Sequence, residues 1–251
     1  MTSCREPIRE ALIRQIEEHD IISFDIFDTL VMRNVYFNKD VFLLLAQEQE
    51  PPLAKVFYNA RTNAQAELTA ENYPYIEDIY DEASRRCHEM KGREADLIAR
   101  EIELERQVII PRVDVVDIFN LAKQMGKEVN IVSDMYFHQK TIRQILDDAG
   151  ISGYQKLMIS SEYNTSKSQH LFEVYLNEVA GGRCLHIGDS WECDIRPAAK
   201  LGIDTFRLSI STEIYEHTEN AAAPEDLHQR TLVAEYVAKK YNSPFQISHS
   251  S

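Results

Sequence analysis

The sequence predicts a three-layer α/β protein built on a parallel sheet, with an all-helical module inserted after the first strand. Three observations carry that prediction. Four short apolar runs have strand character, helical patterns separate the later ones, and the alternation breaks off over residues 34–112. Strands alternating with helices imply right-handed crossovers and helices on both faces of the sheet.

The runs are IISF (21–24), VNIV (129–132), KLMI (156–159) and CLHI (184–187). Each is brief and ends at polar or small residues, as strands buried on both faces tend to. Val115, Ile118, Phe119, Ala122 and Met125 fall on one helical face, and Gly126 follows as a stop. Ile142, Ile145, Leu146 and Ala149 repeat the pattern before Gly150. Leu171, Phe172, Tyr175, Leu176 and Val179 repeat it again before Gly181 and Gly182. Residues 34–112 contain DVFLLLAQEQ, IEDIYDEASRRCHEM and EADLIAREIELERQV, which read as helices, and no convincing strand. The core is therefore expected over 1–33 and 113–251, with the helical module over 34–112. The Tyr-rich piece YPYIEDIY (73–80) reads as packing inside that module, with lining of a substrate pocket as the other reading. RTLVAEYVAKKY reads as a final helix, followed by a frayed NSPFQISHSS.

Composition excludes several classes. With 44% hydrophobic and 27% charged residues the chain is an ordinary globular protein. Its net charge of −14 argues against a nucleic-acid partner. The opening MTSCREPIREALIRQIEEHD has no apolar h-region, and no stretch has the roughly 18 apolar residues of a spanning helix. Cys4, Cys87, Cys184 and Cys193 show neither CxxC spacing nor matching histidines, so reduced thiols in a cytoplasmic protein are expected. Cys193 reads as a small packing residue, and the histidines are scattered. A protein partner is not readable.

The chemistry gathers at the strand ends. Asp25, Asp28 and Thr29 follow the first strand, and Ser133 and Asp134 follow the second. Lys167 comes after the third, and GDSWECD, with Asp189 and Asp194, after the fourth. In such a sheet ligands sit at the carboxyl ends of the strands, so the four clusters converge on one edge. Two or three carboxylates without histidine or cysteine favour a hard cation such as Mg²⁺. A hydroxyl and an ammonium suit the oxygens of a phosphoryl group. An ionised carboxylate can attack as a nucleophile and form an aspartyl-phosphate.

These motifs, FDIFDTL, SDMY, the lone lysine and GDSWECD, resemble the haloacid dehalogenase (HAD) superfamily of hydrolases. The resemblance covers about 20–33 and 113–210 and implies a Rossmann-like core. The helical insertion matches only in placement, where the family carries a C1-type cap. FDIFDTL, SDMY and the SK–GDS pattern are also similar to HAD proteins found alongside glycosyltransferases in surface-polysaccharide pathways. Carried over by motif, Asp25 is the nucleophile, because Thr29 stands four residues after it. Ser133 and the backbone N–H of Asp134 would hold the phosphoryl group, and Lys167 would neutralise the charge. Asp25, Asp189 and the carbonyl of Phe27 would hold Mg²⁺, with Asp194 a direct or supporting ligand.

Phe27 departs from the phosphatase pattern. Typical HAD phosphatases carry a second aspartate two residues after the nucleophile, which protonates the leaving oxygen. Phenylalanine cannot, and general acid catalysis contributes about 10²- to 10⁴-fold. Three readings follow. The first is a Mg²⁺-dependent phosphatase of a small phosphorylated metabolite, a sugar phosphate being the first candidate. Either the substrate then has a good leaving group or another acid substitutes, Asp28 first and Tyr136, His138 or a cap residue such as His88 as weaker candidates, although Asp28 also reads as a turn residue. The second is a 2-haloacid dehalogenase, since that branch has an aromatic residue here but lacks the aspartate found as Asp189. The third is a weakly active binding or regulatory module. Arg33 is expected either to reach a substrate anion or to pair with the acidic helical module. Trp191 is expected to shield the site or pack against that module.

Overall fold

The computed structural model describes residues 6–71 and 73–245; Cys4 and most of the expected C-terminal tail, residues 246–251, lie outside them. Helix α1 (Glu6–Glu18) leads into β1 (Ile21–Phe24), and a short strand β2 (Val31–Arg33) follows. Next come α2 (Asp40–Gln47), α3 (Leu53–Glu71), α4 (Ile76–Arg86) and α5 (Glu94–Val108). Strand β3 (Ile109–Pro111) then pairs antiparallel with β2, so one ribbon ties both ends of the helical insertion. That strand falls inside the stretch read as strand-free. Three residues on each side of a ribbon are too few to show an alternation.

The chain continues through α6 (Val113–Gln124), β4 (Glu128–Ser133), α7 (Gln139–Asp148), β5 (Lys156–Ile159), α8 (Ser160–Tyr163), α9 (Leu171–Glu178) and β6 (Cys184–Gly188). A π-helical turn over Trp191–Ile195 precedes α10 (Arg196–Lys200) and β7 (Asp204–Arg207). Helices α11 (Ser211–Glu219) and α12 (Leu227–Lys240) follow. The five-stranded sheet has the order β5-β4-β1-β6-β7 and is parallel throughout, a Rossmann-like arrangement with helices on its faces. Strand β7 carries no such signal in the sequence: its DTFR is polar and incompletely buried, unlike the apolar runs of the other four strands.

Topology places the site. From β1 the chain runs outward to β4 and β5 on one side and to β6 and β7 on the other. The order reverses at β1, and crevices of α/β sheets open at such a point. Phe24 is in register with Ile131 and with Ile187, so the residues that follow all three emerge together. The core beneath is apolar: Phe24, Ile131 and Ile187 are fully buried, and Phe24 meets Phe119 of α6 edge-on at 5.4 Å.

Two buried ion pairs hold the helical insertion. Arg61 of α3 donates to Glu101 of α5 at 2.8 and 2.7 Å, and Arg33 donates to Glu105 at 2.8 Å. Arg61 also stacks on Phe42, Tyr80 and Tyr136, the last of which lies on the loop after β4. Removing one partner of such a pair leaves a buried charge and costs about 3–5 kcal/mol. Within YPYIEDIY, Ile76, Ile79 and Tyr80 pack inside the insertion. Tyr73 and Tyr75 face the core instead, Tyr73 bonding Ser166 and Tyr75 stacking on His138 at 4.3 Å.

Candidate active site

Asp25 stands one residue past β1, its N–H donating to the carbonyl of Ile187 at 2.9 Å. Its Oδ1 accepts from Ser133 Oγ at 2.9 Å, at the end of β4, and from Lys167 Nζ at 2.7 Å. Lys167 also pairs with Asp194 Oδ1. A second donor to that oxygen, His186 Nε2, lies 3.1 Å away, and Ser190 N–H donates to Asp194 Oδ2 at 2.9 Å. Asp189 takes a hydrogen bond from Thr29 at 3.4 Å. Residues far apart in the chain thus converge at the switch point.

Carboxylate oxygens of Asp25, Asp189 and Asp194 lie within 4.8 Å of one another. Crowded like charges must separate in their titration. Burial pushes Asp25 up to about 6, with Lys167 opposing and Asp194 adding to it. Burial, then Asp25, Asp28 and Asp194, push Asp189 up to about 8. Burial also works against the Asp194 charge, but Lys167 and His186 outweigh it and hold that carboxyl below the usual range. Burial alone would favour a neutral Lys167; Asp194, Asp25 and Asp134 reverse that. The cluster has more carboxylates than its single ammonium balances. An all-oxygen donor set with excess negative charge fits a hard divalent cation.

The remaining expected residues fall variously. Asp134 does more than its backbone suggests, since its Oδ1 accepts the Lys167 N–H at 2.9 Å and so shapes the lysine loop. Asp28 is left-handed at φ 60° and accepts from Asn38 at 3.1 Å, at the edge of the cluster. Phe27 is half-buried, with Arg33 Cζ 4.3 Å from its ring centre. Of the possible acids, Tyr136 packs on Arg61, His138 bonds Glu77 at 3.1 Å, and His88 is exposed on the turn after α4. Trp191 is 51% exposed, with Arg207 Cζ 5.5 Å from its ring centre. Cys87, Cys184 and Cys193 are free thiols, and burial pushes Cys193 up.

Two buried polar residues beside the site escaped the sequence reading. His186 sits inside β6, linking Ser23 at 2.8 Å to Asp194; a histidine in a buried strand was the available signal. Arg112 is fully buried and donates to the carbonyls of Asp28, Ser209 and Asn242, with burial pushing it down to about 10. Nothing local marks it, because its three partners come from distant segments.

A family model described as haloacid dehalogenase-like hydrolase matches residues 19–202. None of the curated proteins compared with the chain matches it. Among solved structures, L-2-haloacid dehalogenase from Xanthobacter autotrophicus aligns with a TM-score of 0.52 at 14% identity, covering 89% of each chain. The HAD-hydrolase YfnB from Bacillus subtilis bound to magnesium aligns with 0.52 at 13%, covering 88% of this chain and 98% of its own. A HAD phosphatase from Thermococcus onnurineus gives 0.51 at 15%, covering 83% and 90%. At these identities the structures establish the fold alone. The family match spans most of the chain, including four of the five strands of the parallel sheet and the acidic cluster, and the chain belongs to the haloacid dehalogenase-like hydrolases.

Proposed function

We propose that the protein is a Mg²⁺-dependent phosphatase of a small phosphorylated metabolite, a sugar phosphate being the first candidate. The observation that carries this reading is the cluster of Asp25, Asp189 and Asp194 oxygens within 4.8 Å, which one ammonium pairs with only in part. Displacement at carbon needs no cation, whereas phosphoryl transfer gains from one that neutralises charge on the transferring oxygens. Asp25 and Asp189, with the Phe27 carbonyl, would hold the ion. Asp194, already accepting from Lys167, His186 and Ser190, holds the lysine in place.

In this mechanism an Asp25 oxygen attacks phosphorus in line and the bond to the leaving oxygen breaks. Lys167 and Ser133 position Asp25 and hold the transferring oxygens, assisted by the Asp134 N–H. Water then attacks the aspartyl-phosphate, releasing inorganic phosphate and restoring Asp25. The helices of residues 34–112 act as the cap, limiting water and selecting the substrate. Asp28 supplies an acidic wall beside Asp189. A second reading, a 2-haloacid dehalogenase, is favoured by the aromatic ring of Phe27 next to the nucleophile.

Phosphate release from para-nitrophenyl phosphate tests the two. Mg²⁺-dependent turnover that falls by at least about 10³-fold in Asp25→Asn is expected, as for loss of a nucleophile. Metal-independent halide release from 2-haloacids, with no phosphate turnover, would establish the second reading.

A further inference from the structure

We propose that Arg33 receives the departing oxygen of the substrate and so replaces the proton donor that Phe27 cannot be. The proposal rests on the phosphatase reading and deepens it. Arg33 is 8% exposed and lies over the Phe27 ring, two residues past the nucleophile, with Cζ 4.3 Å from the ring centre. Its Nε donates to both oxygens of Glu105, at 3.2 and 2.8 Å. Nη1 and Nη2 have no hydrogen-bond partner among the described residues. Neither Nη is among the buried unpaired atoms, so both reach the cavity beside them, where the guanidinium fork is free to meet an oxygen acceptor.

The acceptor has a place to sit. Arg33 lines a cavity of about 300 Å³ together with Asp28, Tyr36, Asn38 and Glu216. Asp28 belongs both to this cavity and to the surroundings of Asp189, so the cavity adjoins the acidic cluster. Glu105 neutralises the guanidinium overall, which disfavours capture of a free anion in the ground state. A donor that matters little until charge develops acts on the transition state.

The step balances without a proton. Asp25 forms its bond to phosphorus, the bond to the leaving oxygen breaks, and its electron pair stays on that oxygen. The product departs as an oxyanion held by the two guanidinium N–H groups, a fork suited to oxygen acceptors. Water protonates it afterwards. Substrates whose leaving groups are acidic are therefore favoured: a carboxylate, a phosphate or an acidic hydroxyl such as one on an anomeric carbon.

The test is kcat/KM across aryl phosphates from dinitrophenyl to phenyl, for the wild type, Arg33→Lys, the paired variant Arg33→Met/Glu105→Leu, Asp28→Asn and Phe27→Asp. The paired variant removes both charges together, and circular dichroism checks its fold. Loss of about 10²-fold on phenyl phosphate, against little change on the dinitrophenyl ester, is expected for it, as for removal of an oxyanion donor. Arg33→Lys should fall between, and Phe27→Asp should flatten the dependence. Equal losses on every ester, or a steepening confined to Asp28→Asn, would overturn the proposal while phosphatase activity stands. No turnover of any ester by folded wild type would overturn both.

Discussion

Gly188 lies directly against the carboxyl of Asp194: a Cβ at residue 188 would stand 2.3 Å from Asp194 Cγ and 2.6 Å from its Cβ. The contact involves the root of the side chain, so rotation of a flexible end cannot relieve it. The last residue of β6 must be glycine for Asp194 to reach Lys167. Gly188→Ala is expected to displace Asp194 and loosen Lys167 while deleting no functional group. A misplacement of that kind costs about 10²-fold in turnover, even away from the reacting atoms. Wild-type kcat with an unchanged melting temperature would show that the approach is not restrictive.

The metal reading predicts a stability effect separable from activity. A cation that binds only the folded state stabilises it by about 2.7 kcal/mol at one hundred times its dissociation constant. Mg²⁺ should therefore raise the melting temperature of the wild type and leave Asp189→Asn nearly unmoved. Equal responses of the two proteins would remove Asp189 from the ligand set.

A pH effect is expected away from the site. Hydrogen bonds from Lys240, Tyr241 and Tyr236 hold Glu219 down to about 2, against an ordinary value of 4.5. A lowered folded value means that Glu219 contributes stability above 4.5, and that the contribution fades as pH falls towards 2. Glu219→Gln should thus lower the urea midpoint at neutral pH, with the gap narrowing between about pH 5 and pH 3. A gap independent of pH would mean that α11 and α12 are held by packing rather than by this charge.

The buried pair Arg61–Glu101 gives the helical insertion its own prediction. Glu101→Gln leaves the Arg61 guanidinium, fully buried among Phe42, Tyr80 and Tyr136, without its counter-charge. A loss of about 3–5 kcal/mol is expected, read as a lowered urea midpoint. Replacing both partners with apolar residues of similar volume should recover most of it, and failure to recover would point to a role beyond packing.

By itself the sequence determined four of the five sheet strands and the convergence of the polar residues that follow them. Strands buried on both faces must be continuous apolar runs, so IISF, VNIV, KLMI and CLHI announced themselves. The polar residues that follow them had to share one edge, and Asp25, Ser133, Lys167 and Asp194 do meet there. Tertiary structure decided what depends on partners distant in sequence. The polar strand β7 and the three-residue strands β2 and β3 exist through pairing, which carries no periodic signature. Arg112 is held by three carbonyls from segments far apart, and His186 by Ser23 and Asp194. Between the two expectations for Arg33, only the fold could show the ion pair with Glu105 and the ring of Phe27 beneath the guanidinium. Burial and proximity set the charge on each carboxylate, and both are properties of the folded chain rather than of its spacing.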